Sequence, residues 1–243
     1  MMECEMDRAI NVLSGITGSG KSWLLKKMLE RPEFQNTVHV QMDVIGKRVW
    51  GDRWITPTER VFRNELTRNE IKMKLIVEKA KIVFLEMPLL TRKYHQKPLV
   101  AMARDTERYL QAIEKELAQK ENREAVQPHV RLNVVLVYCD IETVSRRIND
   151  RNRESDATGT NVFDLHGYFE TSAHFQLPDM ALYTALPLNT CDETLSGQDK
   201  VIKEAAAFFN GKSVDTITVR EHMNEARRYL NEAKRLAKKH GIS

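Results

Sequence analysis

Residues 15–22, with the sequence GITGSGKS, contain the side chains with the clearest chemical role. They fit the pattern G-x-x-x-x-G-K-[ST], in which glycines let the backbone curl so that successive N–H groups surround a phosphate. In this pattern Lys21 reaches the terminal phosphates as a point charge, and the hydroxyl of Ser22 is a ligand of Mg²⁺. We therefore predict a nucleotide-phosphate site formed by consecutive residues, namely Gly15, Ile16, Thr17, Gly18, Ser19, Gly20, Lys21, Ser22 and Trp23.

The stretches around this motif predict the elements that position it. Ile10, Val12 and Leu13 predict a short buried strand before the motif, and residues 23–30 predict a helix whose N-terminus faces the phosphate. Further strands are predicted to begin near residues 37, 82, 132 and 182. Strands that alternate with helices form a parallel sheet covered on both faces. We therefore predict an α/β fold of the P-loop NTPase type, a three-layer sandwich around a mainly parallel five-stranded sheet.

The remaining helix signals differ in strength. Thr56, Pro57 and Glu59 predict a helix start with a capping box, and helical spacing continues to about residue 79. The segment before this start, residues 44–54, has a mixed pattern. Further helices are predicted over residues 99–124, 141–151, 161–172, 197–209 and 219–240, with a loop over residues 155–160.

Two carboxylates follow predicted strands. Asp43 ends the second strand and Glu86 closes the third. Because ligands bind beyond the carboxyl ends of parallel strands, we expect both carboxylates, and the loop over residues 189–193, near the phosphate site. Asp43 is a candidate general base for an attacking hydroxyl, or else a cap for the next helix. Glu86 is a candidate to hold Mg²⁺ through water or to orient the acceptor, or else a solvated loop carboxylate.

A cluster of arginines follows the fourth predicted strand. Arg147 and Arg151 are four residues apart and share one face of the predicted helix, and Arg153 follows in the next turn. Such a cluster repels itself unless an anion lies among its members. We therefore predict a lid whose arginines contact the triphosphate and stabilise the charge that develops during transfer. The alternative is a solvated basic helix paired with neighbouring carboxylates.

Length and composition limit the class of protein. The 243 residues suit one domain with an appendage, and we place the domain at residues 1–211 with a lid at about 146–172, followed by a basic helical extension at 212–243. No apolar run is long enough to span a membrane, and residues 1–8 lack the apolar core of a signal peptide. Three scattered cysteines without metal-like spacing indicate reduced thiols in a cytoplasmic protein.

The charge pattern leaves two kinds of partner open. A net charge of +4 suits anionic small molecules and permits nucleic acid without requiring it. The most basic stretch, residues 219–240, is predicted to form an amphipathic helix. This helix either packs on the domain with one solvated face, or contacts a polyanion or a partner subunit.

Two classes of P-loop protein are disfavoured by the sequence. A GTPase would need a base-reading N-K-x-D or T-K-x-D motif, and neither occurs. Residues 195–198, LSGQ, are similar to the signature of transport ATPases, but one glycine is missing and a helical segment follows. These differences favour a phosphotransferase.

The chain resembles the small P-loop kinases of the zeta-toxin and polynucleotide-kinase type, often grouped as AAA-domain kinases. The resemblance covers roughly residues 8–210. It is carried by the P-loop, by the strand ending at Asp43 with basic residues after it, and by residues 146–157, RRINDRNRESDA, which are similar to an arginine-rich lid. Residues 43–47 and 86–90 also resemble stretches of dephospho-coenzyme A kinase. The resemblance implies that Asp43 is the general base and that Asn189 lies on the base side of the nucleotide.

These observations together predict an ATP- and Mg²⁺-dependent kinase that transfers the γ-phosphoryl group to a hydroxyl of a small metabolite or nucleotide-like acceptor. Its expected partners are ATP and that acceptor, with no membrane. Two alternatives remain open. One is a kinase of 5′-hydroxyl nucleic-acid ends, and the other is a regulatory P-loop ATPase that acts through a protein partner.

Overall fold

A single parallel sheet forms the centre of the protein. The computed structural model describes residues 7–51, 53, 55–87, 93–158, 168–169, 172–173 and 175–241, and for residues 93–95 and 151–158 the description covers the backbone alone. In this part of the chain the strands are β1 (Arg8–Ser14), β2 (Val38–Gln41), β3 (Ile82–Met87), β4 (Val130–Tyr138) and β5 (Thr184–Asn189). Their order in the sheet is β2-β3-β1-β4-β5, and every neighbouring pair is parallel. The predicted five-stranded α/β fold is therefore confirmed.

Helices connect and cover the strands. Within the described residues the α-helices are α1 (Lys21–Leu29), α2 (Met42–Trp50), α3 (Pro57–Ile76), α4 (Lys93–Glu121), α5 (Ile141–Thr158), α6 (Leu195–Phe209) and α7 (Thr216–Lys239). Thr56 and Glu59 form the predicted capping box at the start of α3, with each side chain accepting from the other residue's N–H. Among the described residues, every helix is too short or too polar to cross a lipid bilayer.

The alternation of side chains along β3 separates the layers. Val83 and Leu85 point to the face covered by α3 and α4, where they join a fully buried cluster. Phe84 points to the other face, towards α1 and α6, and its ring meets Phe34 and Phe209 edge to face at centroid distances of 5.3 and 5.2 Å. The sheet thus lies between two helical layers, as predicted.

The strand register brings the predicted site to one edge of the sheet. Ser14, at the end of β1, lies opposite Met87 of β3, and Gln41 of β2 lies opposite Glu86. On the other side of β1, the last residue of β4 pairs with Asn189 of β5. The loops that follow all five strands therefore leave the sheet at the same edge.

Two local predictions are corrected by the structure. Residues 44–54 were expected to be mixed, but α2 begins at Met42, directly after β2, so that Asp43 lies in a helix instead of at a strand end. The helix forms because Met42 and Ile45, one helical turn apart, are both buried in the core. The predicted loop over residues 155–160 is also wrong, since α5 continues to residue 158.

Helix α5 extends beyond its predicted end at residue 151 because no glycine or proline interrupts it before Gly159. Most of the predicted helix over residues 161–172 lies outside the described residues. Helix α4 begins before its predicted start at Leu99 and contains Pro98. Pro98 is the sixth residue of the helix and removes one backbone hydrogen bond there, and the buried side chains of Leu99 and Met102 hold this turn on the core.

Helix α7 packs on the sheet through a narrow apolar stripe. Its buried residues are Met223, Ala226, Leu230, Ala233 and Ala237. They join a cluster that includes Leu136 and Tyr138 of β4 and Ile16 of the P-loop. The Tyr138 hydroxyl donates to Glu225 at 2.7 Å. The boundary predicted at residues 211/212 remains a prediction.

Candidate nucleotide-binding site

The loop between β1 and α1 has a backbone shape that depends on glycine. At Gly15, a Cβ would lie 2.2 Å from the carbonyl oxygen of Val137, a backbone atom of the neighbouring strand that cannot easily move. At Gly20, φ is +95°, a left-handed conformation that other residues adopt at a cost. Strand β4 therefore lies directly behind the loop and fixes its path.

The N-terminus of α1 is open to an anion. Gly20 is its N-cap residue and contributes no side-chain hydrogen bond to the first turn. The first N–H groups of a helix have no partner inside the helix, and they carry the positive end of its dipole. A helix N-terminus of this kind can bind an anion, and the phosphate site at residues 15–23 stays a prediction.

Lys21, the predicted phosphate-binding lysine, lies against the same loop. Lys21 is only 7% exposed, and its ammonium donates to the carbonyl oxygen of Ile16 at 3.0 Å. The charge is thus held within the curl of backbone that would receive the phosphates.

Ser22 and Glu86 are adjacent, although 64 residues separate them in the chain. The Ser22 hydroxyl donates to the Glu86 carboxylate at 2.7 Å. Hydroxyl and carboxylate oxygens are the hard donors that Mg²⁺ prefers, and Mg²⁺ completes its shell with phosphate and water oxygens. In the part of the chain that the structure describes, no group of three or more His, Cys, Asp or Glu side chains is arranged to hold a metal. A hydroxyl and a carboxylate in contact fit a cation shared with a bound triphosphate.

His39 of β2 is a neighbour of Glu86 that sequence reasoning missed. Burial lowers the pKa of this histidine, and the charge of Glu86 opposes that shift only in part. Its Nδ1 lies 3.1 Å from the side-chain nitrogen Nε2 of Gln41. A neutral imidazole does not compete with a cation for the Glu86 carboxylate.

Asp43 lies at the start of α2 and forms an ion pair. Its carboxylate accepts from Arg63 Nη1 at 3.2 Å. The Asp43 side chain is 86% exposed, whereas that of Arg63 is 15% exposed. Burial lowers the pKa of Arg63, and the charge of Asp43 opposes this shift. The N-cap of α2 is Gln41, so the alternative in which Asp43 caps that helix is wrong.

Arg147 connects the glycine-rich loop between β1 and α1, called the phosphate loop from here on, to the loop between β5 and α6. Its guanidinium donates to the carbonyl oxygens of Gly18 at 3.3 Å and Thr190 at 2.5 Å, and to Glu193 at 2.8 Å. Glu193 also accepts from Arg146. Because its donors are used by protein acceptors, Arg147 is held beside the loop instead of extending freely over it.

For the other two predicted lid arginines the structure describes the backbone alone. The backbones of Arg151 and Arg153 belong to α5, but their side chains lie outside the described residues. Most of the rest of the predicted lid also lies outside the described part of the chain.

Thr190 also connects the loop after β5 to the glycine-rich loop, and sequence reasoning missed this contact. It is 3% exposed, and its hydroxyl donates to the carbonyl oxygen of Ser19 at 2.7 Å. Asn189, the residue predicted to contact the nucleotide, accepts from the N–H of Cys191 at 2.9 Å, and its contact with the nucleotide stays a prediction. The sheet-edge rule identified this loop correctly but could not distinguish its individual side chains.

A cavity of about 250 Å³ opens beside the N-terminus of α1. Its lining residues come from α1, α5, the β5–α6 loop and α6, and they are Gly20, Trp23, Arg147, Asp150, Thr190, Asp192, Glu193, Gln198 and Val201. The cavity combines an aromatic side chain with hydrogen-bonding groups, which suits a nucleoside next to the phosphate loop.

The described cysteines, Cys139 and Cys191, are free thiols. Burial raises the pKa of Cys139 to about 11 and that of Cys191 to about 12. Both thiols are therefore protonated near neutral pH and contribute to packing behind the loop. Cys4 lies outside the described residues.

Comparisons with known proteins identify the class of fold. No protein-family model matches the chain, and no curated protein matches it. An unliganded sugar kinase from Janibacter sp. HTCC2649 superposes with a TM-score of 0.51 and 11% identity over 84% of this chain and 95% of that chain. A protein from Chloroflexus aurantiacus J-10-fl, provisionally described as a kinase, gives a TM-score of 0.51 and 10% identity over 85% of this chain and 98% of that chain. The protein has a P-loop kinase-like fold.

Proposed function

We propose that the protein is an ATP- and Mg²⁺-dependent kinase that transfers the γ-phosphoryl group to a hydroxyl of a small metabolite or nucleotide-like acceptor. The observation that carries this proposal is the contact between Ser22 and Glu86 at the end of the glycine-rich loop. It places a hydroxyl and a carboxylate from distant parts of the chain beside an open helix N-terminus. A kinase needs this combination, because alignment and charge neutralisation do most of the work in phosphoryl transfer.

The proposed reaction assigns a task to each described residue. The acceptor oxygen forms a bond to the γ-phosphorus while the bond from that phosphorus to the bridging oxygen breaks, and ADP leaves. Asp43 receives the proton of the acceptor hydroxyl. Lys21 and the N–H groups of residues 18–22 hold the phosphates and offset their charge. Ser22 and Glu86 would hold Mg²⁺, whose charge draws electron density from the phosphate oxygens when bound.

The ion pair between Asp43 and Arg63 bears on the proposed role of Asp43 as the general base. Arg63 donates to one oxygen of the Asp43 carboxylate and so fixes the orientation of the proposed base. The pair is exposed on the Asp43 side, so an acceptor hydroxyl can approach the carboxylate oxygen that Arg63 leaves free.

We place the nucleoside in the cavity beside α1, with Trp23 and Thr190 among its contacts. Arg147 then forms the wall between base and phosphates. Arg151 and Arg153 remain proposed lid contacts. Membership of the zeta-toxin and polynucleotide-kinase group, the boundary at residues 211/212 and a cytoplasmic location are also parts of this proposal.

The experiment that tests the proposal is incubation of the protein with γ-labelled ATP, Mg²⁺ and a metabolite extract, followed by identification of the labelled product. We expect a phosphorylated small molecule whose formation is lost in Lys21→Ala. Label on the 5′ ends of added oligonucleotides would instead favour the nucleic-acid end kinase. Release of labelled phosphate alone, with no labelled acceptor, would favour the regulatory ATPase.

A further inference from the structure

The positive charge of the protein is concentrated in one helix. Helix α7 contains seven lysines and arginines and three glutamates, so its net charge equals the +4 of the whole chain. The remaining residues are therefore balanced overall. One of the three glutamates, Glu225, is also turned towards the sheet, where it accepts from Tyr138.

The cations of α7 share its solvent-facing side. We call this surface the basic ridge, and its members are Arg220, Arg227, Arg228, Arg235, Lys238 and Lys239. All six are exposed, and they lie opposite the apolar stripe that packs on the sheet. At 1.5 Å per residue the ridge is about 28 Å long.

These cations lack the ion pairs that other helices form. On α3 the ammonium of Lys74 lies 2.7 Å from Glu78, and on α6 Lys203 lies 2.6 Å from Asp199. Across the described residues, no carboxylate lies within ion-pair distance of any member of the basic ridge. Two exposed glutamates, Glu221 and Glu232, lie on the same side but form no ion pair with the six cations, so a polyanion bound along the ridge would relieve the remaining repulsion.

We propose that the basic ridge binds the sugar–phosphate backbone of double-stranded nucleic acid. Phosphates along a duplex match an extended row of cations, whereas a single phosphorylated metabolite could engage only part of it. The exposed side of α7 has no aromatic side chain on which unpaired bases could stack, which disfavours a single strand. Asn224 and Asn231, on the same side, add hydrogen-bond donors suited to phosphate oxygens.

The packing of α7 disfavours an anionic membrane as the partner. A helix that lies in a membrane surface inserts its apolar side between the lipids. The apolar side of α7 is already occupied, because Met223 and Leu230 are buried against the sheet. Only the charged side is available, and it suits an anion that binds through its surface.

The test uses the full chain and a fluorescently labelled duplex of about 20 base pairs, as RNA and as DNA, with affinity measured by anisotropy over a series of salt concentrations. Each phosphate contact contributes a slope of about −0.9 to the plot of log affinity against log salt, so four to six contacts predict a total slope of about −4 to −5. Sequence should have little influence, because the contacts are to the backbone.

A matched pair of variants locates the contact. The first carries Arg220→Gln, Arg227→Gln, Arg228→Gln and Arg235→Gln on the ridge. The second removes the same formal charge from exposed positions of α4, through Arg104→Gln, Arg108→Gln, Lys115→Gln and Lys120→Gln. We expect the ridge variant to reduce the slope by about 3 to 4 and the affinity at least tenfold, and the α4 variant to change the affinity less than threefold.

Several results would overturn the proposal. The first is failure of the wild-type chain to bind either duplex at about 50 mM salt, a result that depends on no variant. The second is an equal loss of affinity in the two variants, which would indicate only a general charge effect. Tighter binding to vesicles containing phosphatidylserine than to either duplex would assign the ridge to a membrane instead. Kinase activity is not needed for any of these measurements, so they stand apart from the proposed function.

Discussion

The two sides of the candidate site are held in different ways. On the nucleotide side, Thr190 and Arg147 donate to carbonyl oxygens of the phosphate loop, and Thr190 is almost fully buried. On the acceptor side, the proposed base Asp43 is 86% exposed and makes one ion pair, with Arg63. The comparison indicates that the proposed phosphate site is preorganised by the fold, whereas the proposed acceptor would complete its own site on binding.

The largest effect is expected from Lys21→Ala, which removes the cation of the preorganised side. We expect ATP turnover to fall about a thousandfold, because the lost charge faces the phosphates in a confined loop. Turnover is measured as labelled product, with folding checked by circular dichroism. The control Lys27→Ala removes a cation from the same helix that is paired with Glu30, and turnover should stay within about twofold. A folded Lys21→Ala with wild-type turnover would contradict the proposed site.

The next largest effect is expected from Asp43→Asn on the acceptor side. We expect kcat to fall about a hundredfold or more while ATP affinity is unchanged, since a general base acts on the transition state. ATP affinity is measured by calorimetry and kcat with the acceptor found in the labelling experiment. A parallel loss of ATP affinity would place Asp43 on the nucleotide side and remove the distinction between the two regions.

One added methyl group in the phosphate loop is expected to destabilise the protein. Gly15→Ala places a Cβ 2.2 Å from the Val137 carbonyl oxygen, and we expect it to lower the free energy of unfolding by about 3 kcal/mol. For a chain of this size, the melting temperature should fall by about 6–12 °C. The control is Gly51→Ala, where φ is +70° but nothing lies within 4 Å, and the expected cost is about 1 kcal/mol. Equal shifts in melting temperature would mean that contact with β4 does not shape the loop.

The smallest effect concerns the link between Arg147 and Glu193. A double-mutant cycle with Arg147→Met and Glu193→Gln should give a coupling of about 1 kcal/mol in the free energy of ATP binding. The same cycle with Arg146→Gln should give about 0.3 kcal/mol, because that arginine is more exposed. Equal couplings would indicate that Arg147 does not transmit order from the β5–α6 loop to the nucleotide.

The sequence predicted most of the fold because its signals are local. The β-branched stretch in β4, the glycine-rich loop and the capping box at Thr56 each act within a few residues. Helix α2 was missed for a non-local reason, since its side chains become buried only when the sheet is assembled. Its Gly46 lowers helix propensity, but there a Cβ would lie 3.1 Å from the Arg63 side chain.

The candidate site was predicted in outline and missed in its connections. The sheet-edge rule placed Glu86 and the loop after β5 correctly, because strand ends in a parallel sheet share one edge. Hydrogen bonds such as that from Arg147 to the Gly18 carbonyl join residues far apart in sequence, and no spacing rule encodes them. The roles of the site residues stay predictions until activity is measured.

The central claim is that an ATP triphosphate binds the backbone amides of residues 18–22, with Mg²⁺ beside Ser22 and Glu86. A crystal structure with a non-hydrolysable ATP analogue and Mg²⁺ tests it most directly. We expect the β- and γ-phosphates at the N-terminus of α1 and the metal within reach of the Ser22 hydroxyl and, directly or through water, of Glu86. Phosphates bound anywhere else on the protein would contradict the claim.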